Sequence, residues 1–544
     1  RRAPALAIAA IVALAALQRL AWPGAAPPGI NQDEALSGWI AWCLLKTGHA
    51  MTGEAWPVFY THGIGDNPTM LYFYTLLPFQ ALFGLDVWTT RLPAALAGIA
   101  AVWLAWDVGR RLFDTRTGLL AALFLALAPW SVLLGRLGFG ASQCPFFALL
   151  PVALMLRANL PLGPRAEGPP RAWPAALAGL AAGLSCYGFH AMRLYFPVFF
   201  AALAALNARA WWETARTPAG RTALLALAAG LAVTAGPLAW KQVTDPQMLE
   251  RWQMTRLWQP GTPLPRILAL VGGRYAAHFG PDFLFERGDT FRPFRPVGQG
   301  EFGWHLLPGM LAGVLLLAAR VRARRPARVL LAMLLAYPAG DVISAYDSVH
   351  CLRSAPGLGA LALLAAWGWS EGLRLLAARG RVLAGAAGAA LALGVVALDV
   401  GYLPRFLAHD RDPGIRLDYQ ADLLDVARWL RPNLDQADAV FCTTTGFNEP
   451  FSILMVGLRY DPRRWFREVR DRRRGEYDYY VRVGKLHFLY GDLANADLDS
   501  LRANGRVDHV LFVVRPGELG LDHPVYEVRD PQGRPTLWVC ARSL

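Results

Sequence analysis

Residues 89–111, TTRLPAALAGIAAVWLAWDVGRR, decide the class of fold. From Thr89 to Gly109 the stretch is almost wholly apolar, and it has the roughly 20 residues a helix needs to cross the bilayer's hydrocarbon core, about 30 Å thick. It stops at Arg110 and Arg111, the kind of basic pair that marks a cytoplasmic helix end. The whole chain shares this character. Of 544 residues 55% are hydrophobic and only 17% charged, where an ordinary globular chain carries roughly 25% charge. A set of soluble domains is thereby excluded, and so is a disordered chain. Fifty-two glycines without a period and six scattered cysteines without a CxxC exclude collagen-like and disulfide-rich scaffolds.

Working outward, comparable runs fall at residues 3–22, 117–134, 143–156, 173–190, 194–206, 222–240, 304–319, 327–343, 354–372 and 382–403. With 89–109 they make about eleven spans, so the expected fold is an α-helical polytopic membrane protein. Its orientation follows from alternate loops rich in arginine: Arg110, Arg111 and Arg116, then Arg157, Arg165 and Arg171, then Arg209, Arg216 and Arg221, then the cluster from Arg320 to Arg328, then Arg374, Arg379 and Arg381. By the positive-inside rule the N-terminus is cytoplasmic and an odd number of spans leaves the C-terminus outside. The net charge of +14 is therefore a topology signal. No nucleic-acid-binding motif accompanies it.

Two long outer loops are expected, 23–88 and 241–303. Within the first, residues 69–84, broken by Pro78, read as an interfacial or re-entrant helix. In the second, 264–279 reads as a helix along the membrane surface. After residue 403 the composition becomes that of a soluble domain. Residues 404–544 form an expected outer α/β domain, with helices at 422–430 and 448–459, strands at 437–444 and 507–514, and a hairpin over 525–541 around Asp530-Pro531-Gln532-Gly533. It carries no nucleotide-binding motif. Cys442 and Cys540 both fall in its strands, and sequence leaves open whether they pair.

In so apolar a chain, ionisable groups at the outer face carry the information. Asn31-Gln32-Asp33-Glu34-Ala35 places two adjacent carboxylates at the start of an amphipathic helix. Acids favour a helix N-terminus for that reason alone. Their position just outside the first span, ahead of the His62-Gly63-Ile64-Gly65-Asp66-Asn67-Pro68 loop, makes them equally the floor of a site. Three outer turns each hold an arginine where the positive-inside rule disfavours one: Arg136 in RLGFGASQCP, Arg193 in YGFHAMR beside Tyr187 and His190, and Arg353 in DSVHCLRSAP beside His350. One such arginine is an ordinary headgroup contact. Three, two of them with a histidine three residues earlier, suggest a shared anion, because guanidinium forks suit phosphate. Trp39, Trp42, Trp56 and Trp88 read as an interfacial aromatic belt, with one or two able to stack on a sugar. Asp341, near the end of a span, decides nothing by itself.

The segments NQDEA, RLPAALAG, SVLLGRLGFGASQCPFF, GLAAGLSCYGFHAMRLYFP and HCLRSAPGLGALALLAA together resemble the membrane glycosyltransferases of the GT-C superfamily. The resemblance is to family 39, the protein O-mannosyltransferase and aminoarabinose-transferase branch, and it covers residues 3–403. It implies transfer of a single sugar from a polyprenyl-phosphate donor to an acceptor hydroxyl on a lipid, polysaccharide or protein, at the outer face of a bacterial inner membrane. It further implies an inverting displacement with Asp33 as base, Glu34 orienting Asp33 or meeting the acceptor, and Asp66 as a second acidic candidate. Arg193 and Arg353 would hold the donor phosphate, with Arg136, His62, His190, His350 and Tyr187 in support. No cofactor is required by the family, although Asp33, Glu34 and Asp66 could ligate a divalent cation. One departure stands out. Relatives commonly carry a lysine before Pro-Pro where this chain has Asn67-Pro68-Thr69, so either Arg193 or Arg353 replaces that contact or the donor sits differently. The oligosaccharyltransferase WWDYG motif is absent. The rival reading, a transporter or flippase for a lipid-linked or sugar substrate, would call for two repeated halves and charge at the bilayer midplane; the sequence shows neither.

Overall fold

Capping residues and glycines set where the helices begin and approach one another. Asp114 accepts a hydrogen bond from Thr117 N at 2.8 Å and starts the helix Thr115–Leu127, and Thr217 accepts one from Gly220 N at 3.1 Å to start Pro218–Thr244. The computed structural model describes residues 2–22, 24–62, 67–164, 168–346, 348–474, 478–490 and 509–542. Its contacts divide the chain into two units, residues 1–21 with 94–405 and residues 22–93 with 406–544. The boundary expected at residue 404 placed loop 23–88 with the membrane domain. By packing, residues 22–93 group with residues 406–544.

The first unit is helical. Among the described residues, five helices are long and apolar enough to cross a membrane: Arg2–Leu20, Val87–Leu112, Gly140–Arg157, Pro218–Thr244 and Arg381–Leu407. A sixth arises if Met192–Leu206 and Ala208–Arg216, bent by 81°, count as one span. Shorter apolar helices include Thr115–Leu127, Ala172–Ser185 and Trp304–Arg320. Leu225, Val233, Val382 and Leu393 are 63%, 68%, 85% and 69% exposed. Large aliphatic side chains pointing outward from long helices are what a lipid solvent requires. Small residues bring helices together, since a Cβ on Gly179 would lie 2.1 Å from Leu227 O and one on Gly368 would lie 1.9 Å from Gly309 O. Loops assigned by sequence to one side also meet in pairs. Asp107, fully buried, binds Arg110, Arg111 and, at 2.8 Å, Arg157, while Arg328 donates to Asn207 at 3.0 Å.

Among its described residues the second unit is built on a seven-stranded sheet: β1 (Ala439–Thr443), β2 (Arg470–Arg474), β3 (Asp478–Val483), β4 (Leu486–Leu489), β5 (Val510–Val514), β6 (Pro524–Arg529) and β7 (Pro535–Arg542), in the order β2-β3-β4-β1-β5-β7-β6. The central strand β1, AVFCT, is buried throughout and runs parallel to β4 and β5, as continuous apolar strands covered on both faces do. The expected helices appear as Ala421–Asn433 and Pro450–Leu458, and the expected hairpin as β6–β7. Strands β2 to β4 are additions that the sequence reading did not contain. Cys442 of β1 aligns with Val513 of β5, and Phe512 of β5 aligns with Cys540 of β7. The two sulfurs therefore belong to strands separated by a third, about 10 Å apart at 4.8 Å per step, too far for a bridge. All six cysteines are free thiols. We expect six equivalents of a maleimide to react with chain denatured without reductant; uptake of only four would contradict the strand order.

Candidate active site

Asp33 and Glu34 open the helix Gln32–Thr47, and a capping box separates their roles. Asn31 Oδ1 accepts a bond from Asp33 N at 3.0 Å, while Asn31 N donates to Glu34 Oε2 at 3.1 Å. Successive residues of a helix point about 100° apart, so one acid can face in while its neighbour faces out. Glu34 is fully buried and Asp33 is exposed. The partner that draws Glu34 inward is Arg91, itself 1% exposed, whose Nε and Nη2 each lie 2.9 Å from a different Glu34 oxygen. Arg91 also donates to Pro27 O at 2.8 Å and Gly29 O at 3.0 Å. Glu34 is thus a fixing group for the Asp33 helix.

The C-terminal residues hold that helix from behind. Trp39, fully buried, packs edge-on against Trp465 at 5.5 Å and Tyr460 at 6.4 Å, and Trp465 Nε1 donates to Met51 O at 2.8 Å. Trp39 is therefore a core residue, neither belt nor sugar platform. Ile30 N donates to Tyr419 O at 2.7 Å. Gly29 has φ +68°, and a Cβ there would sit 2.3 Å from that same carbonyl, so only glycine fits. Asp86 pairs with Arg459 at 2.8 Å. His62 is half-exposed, and its Nδ1 lies 2.5 Å from Glu54 Oε1. Thr52 and Thr61 donate to the other Glu54 oxygen at 2.5 and 3.1 Å. Burial pushes the Glu54 carboxyl up, but the hydrogen bonds from Thr52, its own backbone and His62 outweigh it and hold it below the usual glutamate value. Asp66 lies outside the described residues.

In the first unit the three arginine turns are joined. Phe294 packs against Phe139 of the first turn at 5.8 Å and against His350 of the third at 5.6 Å. A Cβ on Gly340 would meet Ala191 of the second turn at 2.4 Å and Arg353 O of the third at 2.9 Å. The arginines themselves differ. Arg136 is buried and donates to Gln18 O and, at 2.9 Å, to Ala21 O, satisfying carbonyls at the end of the first helix. Tyr187 likewise is tied to the Pro218–Thr244 helix through Thr234 O at 2.9 Å. Arg193 and Arg353 are only part-buried. Arg193 Nε reaches Cys186 O at 3.2 Å, and half-buried His190 accepts Arg193 N through its carbonyl at 3.0 Å. Arg353 stacks over Tyr346 with its guanidinium carbon 4.5 Å from the ring centroid. His350 lies 3.1 Å from Asp289 Oδ2, so its ring belongs to a buried pair.

Sequence reading missed Arg91, Arg274 and Asp289, and left Asp341 undecided. Arg274 binds Asp341 at 3.1 Å and donates to Tyr346 O at 2.8 Å, and His278 adds a contact to Asp341 at 3.3 Å. These groups fix the segment leading to Arg353.

The comparisons with known proteins now bear on this arrangement. Residues 66–240 match the family of dolichyl-phosphate-mannose-protein mannosyltransferases. A 91-residue stretch, 17% of the chain, is 33% identical to the putative mannosyltransferase YycA of Bacillus subtilis (strain 168), reaching 13% of that protein's length. The crystal structure of ArnT from Cupriavidus metallidurans bound to undecaprenyl phosphate superimposes with a TM-score of 0.57 at 14% identity, covering 98% of this chain and 97% of ArnT. The chain shares the fold of ArnT. The GT-C resemblance read from the motifs therefore stands. A further structure, the archaeal oligosaccharyltransferase AglB from Archaeoglobus fulgidus in complex with an inhibitory peptide and a dolichol-phosphate, matches with a TM-score of 0.50 at 13% identity. It covers 94% of this chain and 69% of AglB.

Two outcomes are expected from this geometry. Arg91→Met leaves Glu34 buried without its counter-ion and should cost about 3–5 kcal/mol, read as a loss of thermal stability in detergent; an unchanged melting temperature would contradict the buried pair. The Glu54 hold on His62 is present above the unfolded glutamate value of about 4.3 and is lost as pH falls through the depressed native value. Protection factors across residues 52–62, that is exchange relative to the intrinsic rate at each pH, should fall over that range, and Glu54→Gln should abolish their pH dependence.

Proposed function

We propose that this protein is an integral-membrane glycosyltransferase that moves one sugar from a polyprenyl phosphate to an acceptor hydroxyl. The observation that carries the reading is the superposition over 98% of the chain on a protein solved with undecaprenyl phosphate. Exposed Asp33 on a fixed helix and part-buried Arg193 and Arg353 on joined turns support it. In this reading the acceptor hydroxyl attacks the anomeric carbon and its proton passes to the Asp33 carboxylate. The bond from that carbon to the phosphate oxygen breaks, and the electron pair leaves on the polyprenyl phosphate. Arg193 and Arg353 supply the cationic field for that leaving group, which also answers the missing lysine at Asn67. Attack opposite the leaving group inverts the anomeric centre.

The acceptor is a lipid, polysaccharide or protein hydroxyl at the outer face of a bacterial inner membrane, with the N-terminus cytoplasmic. The pairing of arginine-rich loops through Asp107 and Asn207 supports that orientation. The residues after 404 serve as the brace of the Asp33 helix.

Purified protein given radiolabelled polyprenyl-phosphate sugar and candidate acceptors should consume donor. Asp33→Asn should slow turnover by about 10²–10⁴-fold, the range for loss of a general base, and Arg353→Ala should slow it as well. Equal turnover by Asp33→Asn would remove the assignment. Sugar or lipid crossing proteoliposome membranes with no donor consumed would favour a transporter.

A further inference from the structure

Apart from the arginines, the third turn carries a cluster that the transfer reaction does not use. The ligating atoms of Asp289, His350 and Cys351 all lie within 4.8 Å of one another. Asp289 is 1% exposed, His350 6% and Cys351 fully buried. Asp289 comes from the long segment between the helices Leu264–Ala277 and Leu307–Arg320, and His350 and Cys351 open the turn that ends in Arg353. His350 Nδ1 stands 3.1 Å from Asp289 Oδ2. Two ligands about 2.0–2.1 Å from one tetrahedral ion sit roughly 3.3 Å apart, so this pair already has almost the separation a shared ion imposes.

The surroundings hold the donors in place. Asp289 Oδ2 accepts Cys351 N at 2.8 Å and its Oδ1 accepts Phe291 N at 2.9 Å. Trp130 Nε1 donates to Cys351 O at 3.1 Å. A second carboxylate stands next to the first: Glu301, fully buried, accepts Asp289 N on Oε1 at 3.0 Å, and its Oε2 has no hydrogen-bond partner among the described residues. Two acids brought this close out of water share their burden with a proton or with a cation. Nitrogen, sulfur and oxygen donors together suit a borderline-soft divalent ion such as zinc better than magnesium or calcium, which prefer oxygen alone.

We propose that Asp289, His350 and Cys351 form a buried three-donor site for a zinc-class divalent cation, with the Glu301 carboxylate beside it. The ion clamps the segment around residue 289 to the turn two residues ahead of Arg353. The site is distinct from Asp33, Glu34 and Asp66, where sequence had left a cation open, and it does not depend on the sugar-transfer reading.

The test uses full-length protein in detergent, stripped with chelator and titrated with Co²⁺ alone. One Co²⁺ per chain should bind, with intense visible d–d bands and a near-ultraviolet sulfur-to-cobalt charge-transfer band, and Zn²⁺ should displace it. Cys351→Ser should lose the charge-transfer band, while Cys43→Ser should keep it. Asp289→Asn should weaken binding by more than about 100-fold, since loss of an outer-shell partner alone costs 10–100-fold. No bound Co²⁺ in wild type, or a charge-transfer band that persists in Cys351→Ser, overturns the site. Should the variants not fold, X-ray absorption of zinc-loaded wild type decides. One sulfur at about 2.3 Å among nitrogen and oxygen neighbours at 2.0–2.1 Å supports the site, and a shell without sulfur overturns it.

Discussion

The fork between Arg91 and Glu34 governs the placement of the proposed base. Both groups are out of water, and each charge is tolerable only because the other is within 2.9 Å and the remaining donors of Arg91 find carbonyls. Geometry does the rest. With Glu34 anchored and the helix capped by Asn31, the neighbouring carboxylate must lie about 100° around the helix, on its exposed side. The pair is worth little as net stability, since two well-packed apolar residues could replace it. Its value is orientational: it selects one rotation of the Gln32–Thr47 helix.

The three arginine turns show how the same side chain serves two ends according to what surrounds it. Arg136 lies against the last carbonyls of a helix, where its donors fill valences that would otherwise be empty. Arg353, on a turn three residues beyond a buried histidine, keeps its plane on a tyrosine ring and is part-exposed. A guanidinium resting on an aromatic face is held in orientation while its edge stays able to donate. Gly340 and Phe294 bring these turns within one neighbourhood, one by having no side chain and the other by having a large flat one.

Much of the architecture was legible because it is written in runs. Apolar stretches, arginine-rich loops, the buried strand AVFCT and the turn at Asp530–Gly533 each signal themselves within a dozen residues. What was not legible depends on partners far apart in the chain. The capping box marks Glu34 locally, but its burial comes from Arg91, 57 residues on, which lies inside a stretch read as apolar span. An arginine within such a run is itself a signal, and it stood in the RLPAALAG segment. Asp341 is decided by Arg274, 67 residues away. Strand β2, Arg470–Arg474, reads RDRRR and offers no alternation of apolar and polar residues, because it sits at the sheet edge where neither face needs to be apolar.

The seat of Trp39 has a temporal consequence. Its partners, Tyr460 and Trp465, follow it by more than 400 residues, and the carbonyl that receives Trp465 is that of Met51. Synthesis proceeds from the N-terminus at about 5–20 residues per second. For tens of seconds the Asp33 helix therefore exists without the surface it packs against. A chain cut short before residue 450 would possess every group of the proposed chemistry yet lack the brace behind its base. The seat of the proposed base is therefore completed only after residue 465 has been made.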